Sequence, residues 1–140
     1  MVNVRQVAKY FGIVNAGLGA LGLFGPAVTG NRDGLINVHP GRLLDVFAIN
    51  WLHALLHLGV GVFGFPASRS GSSAASYMRL NAALFGLLAT AGFWKGRERA
   101  GIYMVMGMAI NQADNLVHAA WAAIGLIFAA RPNLVARVRR

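Results

Sequence analysis

"AINWLHALLHLGVGVFGF", residues 48–65, is an apolar run that carries Asn50, His53 and His57. Sixty-one residues further on, "AINQADNLVHAAWAAIGL", residues 109–126, repeats it. The two runs share Ala48/Ala109, Ile49/Ile110, Asn50/Asn111, Leu55/Leu116, His57/His118 and Gly64/Gly125, and Asp114 stands where His53 does. Asparagine and histidine identities do not coincide readily in apolar sequence, so the chain reads as a duplication. "NAGLGALG" from Asn15 and "NAALFGLL" from Asn81 echo each other more weakly. Each copy is therefore a hairpin that pairs an Asn-bearing helix with a His-bearing one.

With 56% hydrophobic and 12% charged residues, 140 residues are too apolar for an ordinary soluble fold of that size. A membrane-spanning helix needs roughly 20 mostly apolar residues, and four stretches qualify, about 10–28, 46–65, 77–94 and 106–129. The expectation is an all-α, four-helix transmembrane bundle built from two related helical hairpins, one integral membrane domain over residues 1–140. The net charge of +9 is carried at the ends of the apolar stretches. If all four span, eight basic residues fall on one side and five on the other, which orients both termini to the cytoplasm of a bacterial inner or thylakoid membrane. Nucleic acid is not expected as a partner, since that takes a basic block or stripe on a soluble face. The tail "RPNLVARVRR", residues 131–140, suits anionic lipid or an acidic partner.

On a helix of 3.6 residues per turn, Asn50, His53, His57, Gly61 and Gly64 share one stripe, and Asn111, Asp114, His118, Ala122 and Gly125 form its copy. Three readings follow. The stripe is structural if His57 and His118 hydrogen-bond to Asn15, Asn81 or each other, with Asp114 on His53 or a backbone donor. It is a cofactor site if His57, His118 or His53 is an axial ligand to a macrocycle, either chlorophyll with carotenoid beside it or haem b. It is a proton or ion path if Asp114, His53 and His118 form a relay. There is no cysteine and no CxxCH, which excludes thiolate metal sites and covalent haem. No ion held directly by side chains is expected. Asp33, Asp45 and Glu98 fall at connections, leaving Asp114 without a second carboxylate, and no phosphate-binding glycine loop is present. An enzyme is not expected.

"INWLHALLHLGVGVFG" and "ADNLVHAAWAAIGL" resemble the most distinctive parts of a family of small bacterial four-helix membrane proteins catalogued only as a domain of unknown function. The resemblance covers nearly the whole chain and implies topology. Members occur in photosynthetic and non-photosynthetic bacteria, so pigment binding is not the family's general role, although one copy can be recruited to it. With histidine chemistry, this leads to a specific expectation: a non-catalytic accessory subunit of a larger membrane complex, in contact with lipids, photosystem I in particular, with His57 or His118 ligating chlorophyll. The alternative is a stand-alone membrane protein that binds haem b or conducts protons or ions through the stripe.

Overall fold

Asparagine side chains start three of the four helices in the computed structural model, which describes residues 3–31 and 34–130. An N-terminal cap is needed because the first turn leaves backbone N–H groups without intrahelical partners. Asn3 caps α1 (Val4–Leu23) in a reciprocal box with Gln6. Asn50 caps α2 (Trp51–Ala67) by accepting from the backbone N–H of His53. Ser70 caps α3 (Gly71–Gly96), and Asn111 caps α4 (Gln112–Ala129) in a box with Asp114. Asn50 and Asn111, expected inside a helical stripe, are the residues at which each helix begins.

The residues ahead of α2 and α4 are strands. A short 3-10 turn, Gly25–Ala27, leads from α1 into β1 (Val28–Thr29), which pairs antiparallel with β2 (Gly41–Leu43), and β2 pairs with β3 (Phe47–Ile49). In the second copy β4 (Tyr103–Val105) pairs with β5 (Met108–Ile110). Their two-residue loop places Met106 and Gly107 at φ 52° and 82°, the left-handed pair that a tight hairpin demands. β3 and β5 touch each other, and this contact brings the starts of α2 and α4 together.

The architecture is four helices with two small antiparallel sheets, not an all-α bundle: helices expected from about 46 and 106 start at Trp51 and Gln112, because the preceding residues are spent on β3 and β5. The transmembrane, integral-membrane and cytoplasmic-termini expectations fall with it, since among the described residues no helix is long and apolar enough to cross a membrane. With 17 residues, α2 is about 25 Å long against a hydrocarbon core of about 30 Å. The longer α1 carries Arg5, Gln6 and Lys9 in its first turns, and α3 opens on serines and includes Arg79 and Asn81. The basic tail over 131–140, and Arg32 with Asp33, lie outside the described residues.

α1 packs chiefly on α2 and α3 on α4. The first pair is close because it meets glycine on glycine: a Cβ on Gly64 would stand 2.6 Å from Gly12 Cα, where no side chain fits. The main core gathers Phe11, Tyr77, Met78, Phe85, Leu88, Tyr103 and Ile110, and a smaller one joins Val28, Leu43, Ile49 and Ala54. Large apolar side chains cover the outer faces, among them Phe63, Leu80, Trp94, Leu116 and Leu126, each more than 60% exposed.

Candidate metal centre

His53 lies in the first turn of α2, His57 one turn later, and His118 at the place on α4 that matches His57. All three are buried, His53 and His118 at 1% exposure. His53 Nε2 is 3.2 Å from His57 Nε2 and 3.4 Å from His118 Nε2. The rings of His57 and His118 stack with centroids 5.9 Å apart, and Phe85 packs against both, at 5.6 and 5.3 Å.

The outer partners decide which ring nitrogen carries hydrogen. Asn15 donates its Nδ2 to the carbonyl of Phe11 at 2.9 Å, which leaves its Oδ1 to accept from His57 Nδ1 at 2.7 Å. His53 Nδ1 faces two carbonyl oxygens, Ala48 at 3.0 Å and Ala109 at 2.9 Å. Carbonyls only accept, so His53 Nδ1 also carries its hydrogen. Burial lowers the pKa of all three rings, His57 well below its ordinary value and His118 to about 3, and the rings are neutral at pH 7. The consequence is direct: a neutral imidazole has one N–H, so the Nε2 atoms of His53 and His57 present lone pairs to each other with no proton between them.

His118 is held less completely. Its Nδ1 is buried with no hydrogen-bond partner among the described residues. Asn81 sits on α3 as Asn15 sits on α1 and makes the same local bond, Nδ2 to Tyr77 O at 2.9 Å, but does not do for His118 what Asn15 does for His57. Asp114 accepts from the backbone N–H of Ala48 at 3.0 Å and of Asn111 at 2.8 Å. Burial raises its carboxyl to about pH 7, these two donors opposing. Asp114 thus ties α4 to β3, and a backbone donor, not His53, is its partner.

Residues 5–131 match the family described as a domain of unknown function, DUF4383. The chain belongs to that family. No curated protein and no solved structure matches it. The family resemblance carried by the two Asn/His segments thus holds as membership of a family of unknown function.

The sequence stripe named every ring of the cluster, yet not that they converge. Among the described residues, His53, His57 and His118 offer donor atoms all within 4.8 Å of one another. With Asp114, Leu18, Phe47 and Val117 they line a cavity of about 40 Å³. Their Nε2 atoms are aimed inward at each other, so a haem or chlorophyll ring would meet them only after the imidazoles turned outward. The signal that could have found the convergence is Asn-x-x-[His/Asp] read as a cap: two capped helices starting side by side put the residues of their first turns in contact.

Proposed function

We propose that this DUF4383 chain binds a single transition-metal ion through His53, His57 and His118. The observation that carries the reading is the tautomer enforced on two of the three rings: Asn15 takes the Nδ1 hydrogen of His57 and the carbonyls of Ala48 and Ala109 that of His53, so their Nε2 lone pairs converge beside His118, whose hydrogen no acceptor fixes on Nδ1. Metal-binding histidines are characteristically held this way, the distal N–H on a carbonyl or amide oxygen. The spacing agrees for the two pairs that share His53, since a tetrahedral ion with metal–nitrogen bonds of about 2.0–2.1 Å separates its ligands by roughly 3.3–3.4 Å, against 3.2 and 3.4 Å here, and all three donors lie within 4.8 Å of one another. A nitrogen-only set suits zinc, copper, nickel or cobalt ahead of calcium or magnesium. A cation also removes the repulsion between facing lone pairs. The test is metal content and equilibrium dialysis of the purified full chain. One ion per chain, lost in the His53→Ala/His118→Ala double variant, is expected; absence of stoichiometric binding by any of the four ions sinks the reading.

A second observation favours a companion reading. Phe63 on α2, Leu80 and Trp94 on α3, and Leu116 and Leu126 on α4 stand exposed, and apolar surface of this kind is what interaction sites are built from, which supports an accessory subunit packed against a larger partner. Pull-down of chain tagged at its native level should then bring down one partner at fixed stoichiometry, and a solitary monomer would argue against it.

A further inference from the structure

We infer that the three-histidine centre keeps an open coordination position that takes a small exogenous donor, water or hydroxide at rest and a two- or three-atom anion in exchange. The inference rests on the metal-centre reading and goes beyond it, because a three-nitrogen set could equally be closed by a fourth side chain. The arrangement of the site leaves that place to a ligand. Among the described residues, the donor cluster has three members. The nearest carboxylate in the cavity, Asp114, lies outside that cluster and is engaged by the N–H groups of Ala48 and Asn111. Its position is fixed by a helix cap and a strand at once, so moving it onto an ion would cost both bonds.

Beside the three imidazoles lies the cavity of about 40 Å³. A water needs on the order of 10–15 Å³ counted in the same way, so there is room for about three waters or one short linear anion and little for a larger substrate. Leu18, Leu43, Phe47 and Val117 wall it, which disfavours bulk solvent and strengthens the attraction between the ion and an anionic ligand. Three neutral imidazoles bring no negative charge to the ion, and the Asp114 carboxyl on the cavity wall is held on its backbone donors, so the ligand class is a compact anion. Structural metal sites are closed by four protein ligands, whereas sites with three and a vacancy are those that bind and activate small molecules. The donor count places this centre with the second kind.

The experiment uses the full chain, freed of metal and loaded with Co²⁺, whose visible bands report coordination. Sodium azide is then titrated in. Four-coordinate cobalt bands that shift and saturate with azide are the expected result. Cobalt bands indifferent to azide overturn the open position while leaving the metal centre standing, and failure to bind cobalt, zinc, copper or nickel overturns both. Val117→Phe adds bulk to the cavity wall and should weaken azide binding by about tenfold or more through steric exclusion, with cobalt stoichiometry still one per chain. An azide response unchanged in a folded, cobalt-loaded Val117→Phe protein would put the ligand elsewhere and overturn the assignment.

Discussion

Asn50 and Asn111 each reach across the duplication into the other copy's hairpin, Asn50 Nδ2 donating to Gly107 O at 2.9 Å and Asn111 Nδ2 to Val46 O at 2.7 Å. Val46 and Gly107 are themselves sixty-one residues apart, so the exchange is symmetric. Each asparagine also caps its own helix, and Asn50 Oδ1 accepts in addition from Ala109 N–H at 3.3 Å. Asn50→Ala removes a cap and strands two buried backbone groups, an expected loss of roughly 2–3 kcal/mol. Asn111→Ala should cost less, about 1–2 kcal/mol, because its side-chain bond to Val46 is exposed and water can replace it. Chemical denaturation of both variants checks the order; equal or inverted costs would contradict it.

Asn15 touches no proposed ion and still matters to binding. Its Oδ1 holds the hydrogen of His57 on Nδ1, and Asn15→Leu frees that ring to carry its hydrogen on Nε2, where it blocks ligation. Metal affinity should fall about 10- to 100-fold, the usual cost of losing such an outer partner. Asn15→Asp keeps the acceptor and should keep most of the affinity. Competition against a chromophoric chelator measures both, and a Leu variant that binds as tightly as the parent would remove the tautomer argument.

The duplication and the buried stripe were legible because Asn, His and Gly at matching places stand out against apolar sequence. The strands were not. In "VFAINWLHALL" the residues of β3 run into α2 without a change of hydrophobic period, and a continuous apolar run cannot be told as strand or helix by periodicity. The break is made by Asn50, a cap that looks in sequence like one more polar residue of the stripe. The membrane reading failed on helix length and polar content: β3 and β5 shorten the apolar runs to a 17-residue α2 and an 18-residue α4, and α1 and α3 carry charged and polar residues, so no described helix is long and apolar enough to cross a membrane. Convergence of the three histidines depends on β3 meeting β5, a contact between residues about sixty apart that no local pattern announces.

Two glycines of α1 should respond oppositely to the same substitution. A Cβ on Gly19 would run into Leu58 N, stand 2.6 Å from Leu58 Cα and 2.7 Å from Ala54 O, all on the backbone or at its core. Gly19→Ala must push α1 away from α2, and overpacking of this kind typically costs about 1–3 kcal/mol. Gly17, two residues earlier, has nothing within 4 Å of the same position. Gly17→Ala should raise stability by up to about 1 kcal/mol through helix propensity. Melting temperatures that move the same way in both would mean the close approach of α1 and α2 is not maintained in solution.

Acid should destabilise the metal-free protein. His53, His57 and His118 have folded pKa values below the ordinary 6.5, His118 at about 3, because burial disfavours their charged forms. Below pH 6.5 the unfolded chain takes up protons the folded chain refuses, so the stability these rings contribute is present above that value and is lost as pH falls. Asp114 acts the other way: its pKa rises from 3.8 to about 7, and its contribution is present below 3.8 and is lost as pH rises through 7. Three rings outweigh one carboxyl, so stability in chelator should climb with pH and level off at about pH 7.5–8, where the unfolded histidines are neutral. Asp114→Asn removes the opposing contribution while keeping an acceptor for Ala48 and Asn111, and should steepen the climb between pH 4 and 7. Thermal melts from pH 4.5 to 8.5 in excess chelator, parent beside variant, measure both slopes; a parent whose melting temperature is flat or falls with rising pH would show that the three rings are not buried as neutral imidazoles.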